Sequence, residues 1–311
     1  MRSTAHLEAL GSLAPFVRDG VTDLLVNGAA GLWIDEGGGL RRSRDWPALD
    51  ERSVRELAVR LVSSGGRHID EATPAVDVRL PGGARVHAVI PPVAVAGTHI
   101  SVRLPGRTPW RLPALTASGM LTEAERLRLM DAVARRRNIL ITGAAGTGKT
   151  SLLAALLAEA PPTERIITIE DVAELRIEHP HVVALEARQA NIEGAGAITV
   201  DRLLREALRM RPDRIVLGEC RGAEVRELLT ALNTGHDGGA GTLHANSLED
   251  AGARLESLGA LAGLTADAVA RQVTSAIDLV IHLERVDSRR RVGAIGVPEV
   301  DAAGRIHVVV G

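Results

Sequence analysis

Short apolar runs alternate with helical patterns through the second half of the chain. The pattern predicts strands at 138–142, 165–169, 214–217 and 241–244, and helices at about 122–137, 150–160, 200–210 and 223–233. A Thr122-x-x-Glu125 capping box marks the start of the first of these helices. Strands that alternate with helices in this way favour a largely parallel sheet. The tail predicts a hairpin formed by 292–300 and 305–310.

The first half has shorter and more mixed elements. Its pattern predicts a strand at 22–28, a hairpin at 32–39, a helix at 53–63 and strands at 85–90 and 99–103. A Pro/Gly-rich stretch then follows, which is typical of a linker. We therefore predict an α/β N-terminal domain at 1–104, a linker at 105–119 and a larger α/β domain at 120–311.

Composition narrows the class of protein. The chain has 311 residues and a net charge of −2, so no overall basic field favours nucleic acid. Its single cysteine, Cys220, excludes an internal disulfide. The start of the chain lacks the apolar core of a signal peptide, and no apolar run approaches the roughly 20 residues of a membrane span. We expect a cytoplasmic protein that can still dock on a membrane-embedded partner.

One short stretch contains the chain's only lysine. Lys and Arg total 37, and every one except Lys149 is arginine. The stretch has the spacing of a P-loop, in which backbone N–H groups surround phosphates and one compact ammonium group neutralises them. The alternative is a chance match in a chain with 32 glycines. The predicted nucleotide-binding residues are Gly143, Ala144, Ala145, Gly146, Thr147, Gly148, Lys149, Thr150 and Ser151.

These residues predict a nucleoside triphosphate as ligand. Lys149 is expected to contact the β- and γ-phosphates, and the Thr150 hydroxyl is expected to bind Mg²⁺. Because ligands bind beyond the carboxyl ends of parallel strands, the residues that follow the other strands become candidates as well.

Carboxylates follow two of these strands. Glu170 and Asp171 end the second strand, with Glu174 close behind, and Glu219 ends the third. Carboxylates in these places can orient a water molecule or hold a metal ion. The alternatives are a helix N-terminus that favours acids and a solvated carboxylate at a strand end.

Two histidines, His236 and His244, flank a glycine-rich turn. They are eight residues apart with no cysteine nearby, which is not a zinc pattern. Either one alone would more often be structural. The predicted strand 241–244 carries His244 towards the same edge of the sheet, which favours a role in the site.

Taken in order, these motifs resemble the type II/IV secretion ATPase superfamily, and the TadA/CpaF ATPases of Flp pilus assembly look like the closest branch. After the P-loop come IEDVAEL (169–175), ALRMRPDRI (207–215), GECRG (218–222) and TGHDGGAGTLHANS (234–247). The first half contributes DLLVNG (23–28), RHIDEA (67–72) and DVRLPGGARVHAVIPP (77–92). The chain departs from the family pattern at Cys220, where an aliphatic residue is usual, and in the small residues 239–241.

The resemblance implies a RecA-like P-loop NTPase domain preceded by a smaller α/β domain, in a ring that is usually hexameric. It implies ATP and Mg²⁺ as ligands, with Thr150, Glu219 and Asp171 near the metal. Glu170 and Asp171 would lie in an acidic box, Glu219 in the Walker B motif, and His236 and His244 in a histidine box that senses the γ-phosphate. Arginines of the N-terminal domain would reach the phosphates; the candidates are Arg79, Arg85 and Arg103, with Arg103 first. Arg221 is a candidate for coupling neighbouring sites.

The predicted catalytic residues are therefore Glu219, Glu170, Lys149, Arg103 and His244. We expect a motor that hydrolyses ATP to power pilin assembly or protein export, with inner-membrane platform proteins as partners and no direct nucleic-acid binding. Two alternatives stay open. One is a RecA-like nucleic-acid translocase, against which the charge and the shortage of aromatic residues argue. The other is a nucleotide-gated scaffold with little turnover.

Overall fold

The computed structural model describes residues 9–104, 110–188, 190, 195–287 and 289–311. The chain divides into two compact units, Met1–Arg107 and Thr108–Gly311. Of the predicted linker 105–119, the residues 105–109 lie outside the described ones. Its second half contains a helix, Leu112–Ala117, whose two leucines are buried in a core of the second unit. That half therefore belongs to the second unit and is not a linker.

The first unit is an antiparallel sheet with a helix packed on one face. Its described strands are β1 (Asp23–Asn27), β2 (Leu32–Asp35), β3 (Leu40–Arg42), β4 (Ala75–Arg79), β5 (Arg85–Val89) and β6 (His99–Arg103), in the order β3-β2-β1-β6-β5-β4. Helix α1 (Glu51–Ser64) begins at Asp50, whose carboxylate accepts a hydrogen bond from the Ser53 N–H. Burial alternates along the strands, so the apolar residues face α1 and the charged residues lie on the other face.

The second unit is a largely parallel sheet, as predicted. Its described strands are β7 (Ile139–Gly143), β8 (Ile166–Glu170), β9 (Val182–Glu186), β10 (Arg214–Cys220), β11 (Ala240–His244), β12 (Leu279–Val286), β13 (Arg289–Val300) and β14 (Ile306–Val310). They lie in the order β14-β13-β12-β7-β11-β10-β8-β9. The six from β12 to β9 run parallel, and β13 and β14 add an antiparallel hairpin at one side.

Helices cover both faces of this sheet. They are α2 (Leu112–Ala117), α3 (Glu123–Ala134), α4 (Lys149–Leu157), α5 (Val200–Ala207), α6 (Val225–Leu232), α7 (Asp250–Leu261) and α8 (Ala266–Ala276). One cluster of buried side chains includes α2 to α4, and a second includes α5 to α8. The predicted capping box is confirmed, since the Glu125 N–H donates to the Thr122 hydroxyl and the Thr122 N–H donates to the Glu125 carboxylate. Sequence patterns did not predict β4, β9, β12, α2 or α8.

Candidate nucleotide-binding site

The carboxyl ends of β7, β8, β10 and β11 meet at one edge of the second sheet. His244 pairs with Gly143 across β11 and β7, and Ile169 pairs with Leu217 across β8 and β10. The P-loop follows β7, and Glu170, Glu219 and His244 stand at or near the ends of the other three strands. The structure therefore brings these four candidates to the same edge, as parallel pairing requires.

The P-loop leads from β7 into α4 by a path that needs a positive φ at each of its three glycines. Gly143 has a φ of 146°, and a Cβ there would overlap the Leu283 carbonyl oxygen and lie 2.8 Å from the Thr147 hydroxyl. That hydroxyl donates to the Ala144 carbonyl at 2.9 Å and closes the turn. Thr150 and Ser151 lie half-buried in the first turn of α4, where backbone N–H groups lack helical partners and attract anions.

Lys149 is buried, with 8% of its surface exposed. Its ammonium group donates to the carbonyl oxygens of Gly143 at 2.8 Å and Ala144 at 3.0 Å. Burial lowers the pKa of this ammonium group, and the Glu219 carboxylate acts in the opposite direction. The single lysine is thus held inside the loop by the loop's own backbone, with the Glu219 carboxylate close enough to affect its titration.

A β-bulge presents Glu219 at the end of β10. Leu217 pairs with Gly241 and Cys220 with Leu243, so three steps on β10 oppose two on β11. The extra residue interrupts the alternation of side chains along β10. Glu219 is therefore half-exposed, although the preceding residues of the strand are buried. The Thr242 hydroxyl supports the bulge by donating to the Gly218 carbonyl at 2.6 Å.

Arg221 forms an ion pair with Glu219. Its guanidinium also interacts electrostatically with Asp171 and Glu174. Asp171 is exposed just beyond the end of β8. The acids predicted from two strands therefore gather around one arginine, beside the P-loop.

Glu170 is a buried carboxylate, with 6% of its surface exposed. One oxygen accepts hydrogen bonds from the Glu174 N–H at 3.0 Å and the Leu175 N–H at 3.1 Å. A Cβ on the neighbouring Gly218 would lie 2.9 Å from that same oxygen. Glu170 thus anchors the loop after β8 and depends on a glycine at 218 for its position.

The two histidines are separated by the length of β11. His244 is exposed at the carboxyl end, beside the P-loop. His236 lies before the strand, where its Nδ1 is 3.2 Å from the Ala231 carbonyl oxygen. The Gly239 N–H donates to Asn138, the residue just before β7. Five residues of strand correspond to about 17 Å, so the structure does not bring His236 to the P-loop of its own chain.

The candidate arginines of the first unit stand in one row across its sheet. Register pairs Arg79 with Arg85, Arg85 with Arg103, and Arg103 with Asp23. Arg103 forms an ion pair with Asp23 at 3.2 Å, and Arg85 pairs with Asp77 at 3.5 Å. The open face of this unit therefore presents adjacent guanidinium groups held by carboxylates.

Sequence patterns missed a histidine beside the P-loop strand. His282 of β12 pairs with Thr142 of β7, and its Nδ1 lies 2.9 Å from the Thr142 hydroxyl. Only 7% of its surface is exposed, and burial lowers the pKa of its imidazole. The apolar run around His282, directly after Asp278, was the available signal for the strand that carries it.

Oxygen donors of the type that Mg²⁺ prefers lie at this edge. The Thr150 hydroxyl stands in the first turn of α4, and the carboxylates of Glu219 and Asp171 lie at the neighbouring strand ends. Among the described residues, no three His, Cys, Asp or Glu side chains lie close enough together to hold a metal ion by themselves. A hydroxyl and a few carboxylates, with no all-protein cage, match the way Mg²⁺ is held together with substrate phosphates. The residues present therefore fit this ion.

The parallel sheet, the P-loop and the acid on the bulge together define a P-loop nucleoside triphosphatase. The model of the type II/IV secretion system protein family matches residues 6–306, so the chain belongs to that family. A putative conjugal transfer protein of Mycobacterium tuberculosis is 48% identical over 312 residues, covering 98% of this chain and 88% of that protein. The type IV secretion system protein PtlH homolog of Bordetella bronchiseptica is 34% identical over 323 residues, covering 92% of each.

Among solved structures, the chain is similar to the VirB11 ATPase of the Brucella suis type IV secretion system, in complex with sulphate. The TM-score is 0.50 at 26% identity, covering 94% of this chain and 97% of that one. The predicted fold, a RecA-like P-loop domain after a smaller α/β domain, is confirmed, and the protein is an ATPase of this family. The finer assignment to the TadA/CpaF branch stays a prediction. None of the helices described is long and apolar enough to cross a membrane.

Proposed function

We propose that this protein hydrolyses ATP with Mg²⁺ and converts the reaction into domain movement that powers a secretion or pilus-assembly machine. The observation that carries the proposal is the convergence of the P-loop, Glu219 and His244 at one sheet edge. The family match supports an ATPase, and the relatives' names support a transfer or secretion system.

The P-loop residues bind and orient the triphosphate. On binding, the Lys149 ammonium exchanges its two loop carbonyls for β- and γ-phosphate oxygens, which it reaches with little movement because it already lies inside the turn. The backbone N–H groups at the start of α4 bind the phosphates from the other side. Because this ammonium is largely withdrawn from water, its attraction to the phosphates is weakly screened.

Glu219 positions the attacking water. The water oxygen bonds to the γ-phosphorus as the bond to the β–γ bridging oxygen breaks. The water's protons pass to the released phosphate and to solvent, and ADP and phosphate leave. Glu219 accepts a hydrogen bond from this water and points it at the phosphorus. Arg221 must release the Glu219 carboxylate for this role, and in the released state its own charge becomes available to a phosphate. Glu170, held by the backbone, fixes the loop that carries Asp171.

When bound, Mg²⁺ would neutralise negative charge on the triphosphate. Thr150 would hold it directly, with Glu219 and Asp171 behind. We propose that His244, exposed at the end of β11, contacts the γ-phosphate.

We propose that further groups come from outside the second unit. The row of Arg85 and Arg103 offers two adjacent guanidinium groups for the γ-phosphate. His236, far from the P-loop of its own chain, would act on a neighbouring subunit's site in a ring, which we expect to be hexameric. The partners would be membrane proteins of the secretion machinery, with the protein itself at the cytoplasmic face of the membrane.

The experiment that tests the ATPase proposal replaces the only lysine. Lys149→Ala should abolish ATP turnover and weaken nucleotide binding, because no other lysine exists in the chain. Lys149→Arg is the matched control for charge, and it should also fail, since a planar guanidinium does not fit the space of a compact ammonium. Equal melting temperatures would show that both variants fold. Turnover retained in the alanine variant would refute the proposal.

The same assay separates the alternatives. Turnover measured against protein concentration, with molar mass by light scattering, distinguishes a ring-dependent enzyme from a scaffold that binds without hydrolysis. Added single- or double-stranded DNA tests the translocase, a relevant question because the Mycobacterium tuberculosis relative carries a conjugal-transfer name. Strong stimulation by DNA would favour the translocase; unchanged turnover supports the secretion motor.

A further inference from the structure

We propose that Arg290, on the hairpin formed by β12 and β13, is a further nucleotide-binding residue that contacts the phosphate chain from outside the P-loop. This inference rests on the proposed ATPase function. It adds a second cation, from a different part of the chain, to the site occupied by Lys149.

The β12–β13 hairpin passes directly beside the P-loop. Leu283 of β12 pairs with Gly143, and its carbonyl oxygen closes the space beside that glycine. The strand continues outward past the end of β7, and β13 returns along it, pairing Arg290 with Arg285. The tip of the hairpin therefore extends beyond the sheet on the side where the phosphates bind.

The side chain of Arg290 reaches the last glycine of the loop. A Cβ placed on Gly148, the residue that precedes α4, would lie 3.5 Å from the Arg290 Cδ and 3.1 Å from the Met120 Cε. A guanidinium extends about 3 to 4 Å beyond its Cδ, judged from ordinary C–N bond lengths. Its nitrogen atoms can therefore reach the rim of the cradle at the amino end of α4, where a phosphate is expected.

The charge of Arg290 is also available. Arg291, the next residue, is engaged by Glu284 at 2.6 Å. In the part of the chain that the structure describes, no carboxylate forms an ion pair with Arg290, and its side chain is exposed. An arginine beside a phosphate loop, with five N–H donors and no carboxylate partner, matches a phosphate oxygen in charge and geometry.

Nearby residues supply a matched control. Arg289 precedes Arg290 in β13 and is likewise exposed, and successive side chains of a strand point to opposite faces. Arg289→Ala removes the same charge from the same hairpin on the face away from Gly148. A general electrostatic effect would weaken nucleotide binding equally in both variants, whereas a direct contact would not.

The test is equilibrium binding of a fluorescent ADP analogue and of ATP to the full chain. Arg290→Ala should raise Kd about tenfold for both nucleotides, the loss expected for one charge-assisted hydrogen bond. Arg289→Ala should stay within about twofold of the wild type, since its charge is screened by solvent. Arg290→Lys should recover part of the loss, and the salt dependence of binding should fall only in the Arg290→Ala variant.

The outcomes are distinguishable from failure of the ATPase proposal. If the wild type binds nucleotide and both alanine variants bind it with the same Kd, Arg290 is a solvated surface residue. The Arg290 inference is then overturned, while the proposed ATPase function stands. If the wild type binds no nucleotide, the proposed function and this inference both fail. Melting temperatures equal to the wild type would confirm that the exposed substitutions leave the fold intact.

Discussion

Gly218 lies where a single added methyl group should disrupt the site. A Cβ at this position would overlap the Glu170 Cγ and lie 2.9 Å from its Oε1 and 3.0 Å from its Cδ. The Glu170 carboxylate cannot move away freely, because it accepts hydrogen bonds from two backbone N–H groups. Gly218 itself is tied to Thr242 through its carbonyl oxygen. Gly218→Ala must therefore displace either the Glu170 loop or the bulge that presents Glu219.

The expected cost follows from this overlap. Overpacking of a well-packed interior typically lowers the free energy of unfolding by about 1 to 3 kcal/mol. At about 2 to 4 °C per kcal/mol for a domain of this size, the melting temperature should fall by several degrees. Turnover should fall more than stability suggests, by tenfold or more, since a shift near 1 Å misplaces the groups that orient the water.

Gly241→Ala is the control for this change. Gly241 is also buried, on the neighbouring strand β11, but a Cβ there meets its nearest atoms at 3.4, 3.5 and 3.8 Å, ordinary van der Waals contact. The two variants add the same methyl group to adjacent strands. Thermal unfolding and steady-state ATP turnover would be measured for both. A Gly218→Ala protein that matches Gly241→Ala in both measurements would refute the reasoning.

Two further predictions use groups at the same edge. Glu219→Gln should keep the Kd for ATP near the wild-type value while lowering turnover at least a hundredfold. The reason is that the amide keeps the shape of the side chain but loses the charge that polarises water. A loss of ATP binding as large as the loss of turnover, measured by titration, would contradict this role. Burial lowers the pKa of the His282 imidazole in the folded chain, whereas in the unfolded chain it binds a proton below about pH 6.5. Its contribution to stability is therefore present above that pH and lost as the pH falls towards the folded pKa. His282→Gln should lessen the drop in the free energy of unfolding between pH 7.5 and pH 5.5, measured by urea denaturation, and an unchanged drop would show that other groups cause it.

Sequence patterns predicted the strands that carry the candidate site better than the strand β12 and the helix α2. Strands 138–142, 165–169 and 214–217 are apolar runs flanked by helical patterns, and the parallel rule then placed Glu170 and Glu219 together without any coordinates. β12 escaped notice because His282 interrupts its apolar run. Helix α2 escaped because it lies directly after the Pro/Gly-rich stretch, where its two buried leucines gave too short a pattern.

His236 shows how a strand separates residues that are close in sequence. The family resemblance implied one histidine box with His236 and His244, but β11 runs between them, and the two ends of a strand lie at opposite edges of a sheet. Arg290 was missed for a related reason. It is distant from the P-loop in sequence and approaches it only through the pairing of β12 with β7.

The position of β11 between the two key strands has a geometric consequence. Neighbouring strands are about 4.8 Å apart, so one interposed strand separates β7 from β10 by nearly 10 Å. If β7 and β10 were adjacent, the Glu219 carboxylate would lie against the phosphates held by the P-loop. No space would then remain for the attacking water. In the proposed mechanism, this gap is the space for the terminal phosphoryl group and the water that attacks it. The order of the strands thereby sets the distance between the P-loop and the strand that ends at Glu219.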